Sequence, residues 1–201
     1  MKAAAFALML LCASSCGVLG SLRPGPTIAP LISATFLSVH IFIGDDGDAQ
    51  EKARLPGLRD SLAGALPAAW ATATGGRGQV ALRTDADIDV ELDGTGGTSA
   101  LTQHQLGGKV VSRRIAVHTM EGGRRLSVAE LLVTTLHELG HIWCCFGPGT
   151  KDGHWVDTPA GFSTVGLMYS PMTCTVTRGS DPVCPSVFSD RELAEMHLTA
   201  P

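Results

Sequence analysis

The pattern of apolar positions changes period several times along this chain. Residues 35–43 (Thr-Phe-Leu-Ser-Val-His-Ile-Phe-Ile) are β-branched and aromatic, and Gly44-Asp45-Asp46-Gly47 closes the run. That composition predicts a strand followed by a turn. Over 48–73 the spacing becomes helical: Leu55, Leu58, Leu62, Leu66 and Trp70 recur every three or four residues and form one apolar stripe. Pro56 is expected near the start of this helix and Pro67 at a kink or break, with Gly75-Gly76 as the stop. Strands are expected at 79–83 and 86–92, where Ile88, Val90 and Leu92 alternate with acids. Residues 93–108 hold five glycines and predict a flexible loop. Residues 109–118 predict a further strand, which turns at Glu121-Gly122-Gly123.

The next segment carries its own start signal. Ser127 and Glu130 make a capping box, in which the hydroxyl takes the amide three residues on and the carboxylate reaches back. From Val128 to Phe146 the only helix breaker is Gly140, and Gly147-Pro148-Gly149 is the expected stop. Residues 148–187 are irregular and rich in Gly, Pro, Ser, Thr and Cys, a length of loop that usually has a function or is pinned by disulfides. Ser189 and Glu192 form a second capping box, opening a short helix over 190–198. Strands and helices in this order predict an α+β domain.

Length and composition narrow the picture. A chain of 201 residues, 44% hydrophobic and 17% charged, suits one folded domain rather than a disordered segment. The net charge of −4 and the lack of a basic block give a nucleic-acid partner no electrostatic support. Lys2 followed by nine apolar residues, Ala3 to Leu11, is too short to span a bilayer, which takes about 20. Residues 1–20 therefore read as a secretory signal, and 21–34 as a Pro-rich tether before a domain over 35–201. Two cleavage readings fit. Ala13-Ser14-Ser15-Cys16 resembles a bacterial lipobox, which would attach the protein to a membrane through lipidated Cys16. Cleavage after Gly20 would release it. Both readings expect a secreted or cell-envelope location. Of the six cysteines, Cys144, Cys145, Cys174 and Cys184 then remain in an oxidising compartment, where two disulfides are expected. A bond between neighbours would be strained, which favours pairing Cys144 and Cys145 with Cys174 and Cys184.

The capped helix contains His137-Glu138-Leu139-Gly140-His141, an HExxH motif. Residues i and i+4 share a helix face, so both imidazoles can bind one metal ion. Glu138 is offset by one position, where it can work on water at a zinc ion as general base without being a ligand. A third ligand is required. His154, in Asp152-Gly153-His154-Trp155, is the next histidine, with Asp152 and Asp157 as rivals. A turn at Gly147 would bring it back after an inserted loop. His40, His104, His118 and His197 are read as ordinary strand, loop or helix residues.

Downstream, Gly166-Leu167-Met168-Tyr169-Ser170-Pro171-Met172 resembles the Met-turn of the metzincin clan, most closely that of matrixin-like zinc metallopeptidases. The resemblance covers 35–199: a helix ending in Trp70 before Ala86-Asp87-Ile88, an edge strand, the HExxH helix, the Met-turn and a Ser-capped last helix. The spacing HExxHxxGxxH of that clan is broken, because Cys144 and Gly147 stand where Gly and His are usual. The family's calcium sites and inhibitory cysteine have no counterpart that can be placed.

The resemblance implies a zincin-like fold: a twisted mixed sheet, an active-site helix and a C-terminal helix. It implies a zinc endopeptidase in which His137, His141 and His154 hold Zn2+, Glu138 is the base and Met168 underlies the metal, with Met172 as a weaker candidate. It further implies that strand 109–118 is the edge that pairs with an extended protein or peptide substrate. Two other readings stay open. One is a zincin whose third ligand is a downstream Glu, Glu192 or Glu195. The other is a non-catalytic envelope protein with a vestigial zinc site, against which the intact Glu138 speaks.

Overall fold

A computed structural model describes residues 33–106, 109–146, 148–156, 166–168 and 186–198. The leader with Cys16, tether residues 21–32, Gly147, Asp157, Met172, Cys174 and Cys184 lie outside the described residues. No described helix is long and apolar enough to cross a membrane.

The chain folds as α+β around a six-stranded mixed sheet. β1 (Phe36–Gly47) is followed by α1 (Ala49–Ala73) and β2 (Gln79–Leu82), and then by β3 (Ile88–Gly96), β4 (Ala100–Leu106) and β5 (Lys109–Glu121). The strand order is β2-β1-β3-β5-β4, and β6 (Arg124–Arg125) hairpins onto the end of β5. β2, β1, β3 and β5 run parallel, while β4 is antiparallel to β5. The alternation at 88–92 does what its period requires: Ile88, Val90 and Leu92 are fully buried and the residues between them are not.

α1 covers the sheet with the predicted stripe, since Leu55, Leu58, Leu62, Leu66 and Trp70 are all buried. At about 1.5–3 kcal/mol for each such side chain, this face is a leading source of stability. It also explains why α1 runs unbroken through both prolines, so that of the kink or break expected at Pro67 the break does not occur. A proline removes one N–H and costs about 3 kcal/mol in a helix interior, less than the apolar face returns. Buried Glu51 ties α1 to the sheet end, accepting from Thr119 Oγ1 at 2.6 Å and Arg125 Nε at 3.0 Å.

Two expectations about the sheet need correction. The Gly-rich stretch 93–108 is not a loop throughout: β3 continues to Gly96, and 100–106 is a strand. Strand 109–118 is interior, between β3 and β4, so the edge belongs to β4. β4 has few apolar anchors in its sequence, Thr-Gln-His-Gln at its centre. Pairing with β5, from Ala100 opposite Ala116 to Leu106 opposite Lys109, makes it a strand.

α2 (Val128–Gly140) opens with the expected capping box, and both reciprocal bonds between Ser127 and Glu130 form. It ends earlier than the sequence suggests. After Gly140 the bonds tighten to Ile142 N–Leu139 O and Trp143 N–Gly140 O, which turns the chain and buries Ile142, Trp143, Cys144 and Cys145. A two-stranded hairpin, β7 (Thr150–Lys151) and β8 (His154–Trp155), interrupts the predicted irregular region. α3 (Asp190–Glu195) is shorter than 190–198 but has its predicted Ser189–Glu192 capping box. The expected cysteine pairing is also corrected: the sulfur of Cys144 is bonded to that of Cys145. The tight turn after α2 buries both sulfurs side by side.

Candidate metal centre

Three imidazoles converge from two elements. His137 lies in the last turn of α2 and His141 caps its C-terminus, so helical spacing puts both on one face. His154 arrives on β8, after the hairpin reverses the chain through Asp152 (φ 52°) and Gly153 (φ 77°). A ligand nitrogen from each lies within 4.8 Å of the others, close enough to bind one metal ion. His137 Nε2 and His154 Nε2 face each other at 2.9 Å. The predicted third ligand is thus brought to the site. Neither Asp152, Glu192 nor Glu195 belongs to this group.

The surroundings prepare His137 and His141 as neutral donors. Burial holds His137 down to about 4, against the hydrogen bond to Leu167 that favours its charged form. Burial and then His137 and His154 hold His141 down to about 3. His137 Nδ1 donates to the Leu167 carbonyl at 2.6 Å, and a ring N–H of His141 donates to the Cys144 carbonyl. With Nδ1 protonated, the Nε2 lone pair of His137 faces the centre. The donor set fits a metal. Three imidazoles suit zinc and its neighbours among the divalent transition metals. Three protein ligands with an open position are the pattern of a catalytic rather than a structural site.

Glu138 stands beside this group without joining it. Its carboxyl is buried and accepts from the backbone amide of Leu101 on β4. Burial raises it to about 7, against that hydrogen bond. Residues 97–99, the end of β5 and the outer face of α2 enclose a pocket of about 270 Å³, and His137 and Glu138 form part of its wall.

Met168 is fully buried beneath the site. A Cβ on Gly140 would lie 2.5 Å from Met168 Sδ and 2.9 Å from Phe188, so only glycine lets this turn of α2 approach so closely. A Cβ on Gly153 would come 3.1 Å from His141 Nδ1. Three bonds lock the segment around Met168. Its carbonyl accepts from Trp155 N at 2.8 Å, its amide donates to Glu192 Oε1 at 2.7 Å, and neighbouring Leu167 orients His137. Arg191 caps the Trp155 ring, its guanidinium carbon 3.0 Å from the ring centre.

The three histidines are legible in the sequence, but this support is not. Glu192 is legible as a helix cap and as a rival ligand but not as the acceptor for the Met168 amide, and Leu101 not at all. The glycine in Asp152-Gly153-His154 was a signal that could have been read as a left-handed turn. No protein-family model matches the chain, and no curated protein matches it.

Proposed function

We propose that this protein is a secreted or lipid-anchored zinc-dependent endopeptidase of the matrixin-like metzincin kind. The observation that carries the reading is the convergence of His137, His141 and His154, with Glu138 next to His137 on the wall of an adjoining pocket. A zincin-like fold agrees with the mixed sheet, its antiparallel edge strand and the buried methionine under the helix.

When bound by the three histidines, zinc supplies Lewis-acid chemistry that polarises a carbonyl and makes water acidic. The protein's own residues do the rest. Leu167 and Cys144 carbonyls hold two imidazoles in the ligating tautomer and orientation. The Leu101 amide aims the Glu138 carboxylate. Glu138 takes a proton from the attacking water and returns it to the leaving amine, so one group serves as base and then acid. β4 ends the sheet among the described residues and carries that same Leu101. An extended substrate pairing with its outer edge would run past Glu138.

The test is cleavage of a peptide library by the zinc-loaded chain, with and without chelator. Glu138→Gln is expected to keep stoichiometric zinc and lose about 10²–10⁴-fold in rate. A fully active Glu138→Gln protein would sink the mechanism.

A further inference from the structure

The pocket beside Glu138 has a chemical bias. We propose that it selects a lysine or arginine side chain on a residue flanking the scissile bond, an inference that rests on the peptidase reading. Because His137 and Glu138 line it, the pocket opens at the reacting centre. At about 270 Å³ it holds one long side chain.

Its walls suit a basic residue at both ends. Leu126, Val133 and Met120 offer apolar surface for a methylene stem. Glu121 offers a carboxylate for the charged head, and the described lining contains no Lys or Arg. Arg124, just outside, pairs with Glu130 at 2.8 Å and reaches Glu121 only at 4.0 Å. Arg124 makes two hydrogen bonds to Glu130 and only the looser contact with Glu121, whose carboxylate is the one more open to a ligand. His118, also in the wall, is already engaged elsewhere: its Nδ1 lies 3.5 Å from Asp93 and 3.3 Å from the Thr95 hydroxyl. An acidic substrate side chain would instead meet Glu121 and Glu130 as like charges.

Glu121 is exposed, with 74% of its side chain accessible, so its variants report on recognition rather than folding. The zinc-loaded chain is assayed on peptides differing only at the two residues flanking the cleaved bond: Arg, Lys, Leu or Glu. The expected result is a kcat/KM at least about tenfold higher for Arg or Lys than for Glu at one of those positions. Glu121→Gln should shrink that ratio by roughly three- to fivefold, the range of a partly screened ion pair, and Glu121→Lys should shrink it further. Cleavage without a basic preference, or an unaltered ratio in Glu121→Lys, would overturn the proposal. Should no peptide be cleaved, the peptidase reading fails first. Calorimetric binding of arginine amide against glutamate amide then decides the pocket. Preference for the arginine probe that Glu121→Lys abolishes supports it, and equal binding refutes it.

Discussion

Glu192 supports the candidate metal site without belonging to it, and its removal should be costly. Its Oε1 accepts from the buried amide of Met168 at 2.7 Å and its Oε2 from Ser189 N at 2.6 Å. Glu192→Ala removes the reciprocal half of a capping box, worth about 1 kcal/mol. It also orphans the Met168 amide in a site without water access, worth about 1–3 kcal/mol. A combined loss of about 2–4 kcal/mol corresponds to a Tm drop of roughly 5–12 °C in a domain of this size. Ser189→Ala is the control. It breaks the cap from the other side, because Ser189 Oγ accepts from Glu192 N, and leaves the Met168 bond in place. Its expected cost is only about 1 kcal/mol. The two variants should also differ at the metal. Leu167, whose carbonyl orients His137, precedes Met168 directly, so loosening this turn should weaken zinc by about 10–100-fold. The assays are thermal unfolding by circular dichroism and zinc affinity by competition with a chromophoric chelator. If Glu192→Ala loses no more stability or zinc affinity than Ser189→Ala, the carboxylate does not hold the turn and the reasoning fails.

The remaining predictions concern ligands, backbone and pH. His154→Ala should abolish stoichiometric zinc by elemental analysis of the dialysed protein, and near-unchanged stoichiometry would exclude His154 as a ligand. Gly153→Ala places a side chain at φ 77° and 3.1 Å from His141. It should cost about 1–3 kcal/mol and weaken zinc binding, whereas unchanged Tm and affinity would contradict the close approach. Burial raises the Glu192 carboxyl above its ordinary value, opposed by hydrogen bonds from Ser189 and Met168. The folded state then holds that proton more tightly than the unfolded chain. Its contribution is therefore fullest below the ordinary carboxylate range and is lost as pH rises through the raised pKa. Glu192→Gln should flatten this part of the stability curve measured by urea midpoint against pH, and an unchanged slope would count against the assignment.

Much of this protein was determined locally. The stripe from Leu55 to Trp70, the alternation at Ile88, Val90 and Leu92, and both capping boxes are periodicities and short-range hydrogen bonds, which a chain carries in its own spacing. The HExxH pair is legible for the same reason, since a helix alone puts His137 and His141 on one face. What needed the tertiary structure were the features set by partners distant in sequence. β4 is a strand because β5 pairs with it, and it rather than β5 is the edge because of sheet order. α1 passes through Pro67 because the buried face outweighs a lost hydrogen bond. Cys144 bonds its neighbour because the chain tightens after Gly140. His154 could be named from the sequence as the next histidine. Its place beside His137 depends on a hairpin turned at Gly153 and bonded through Trp155 to Met168. No local period encodes such a contact, because its free energy arises only when segments far apart in the chain are already packed.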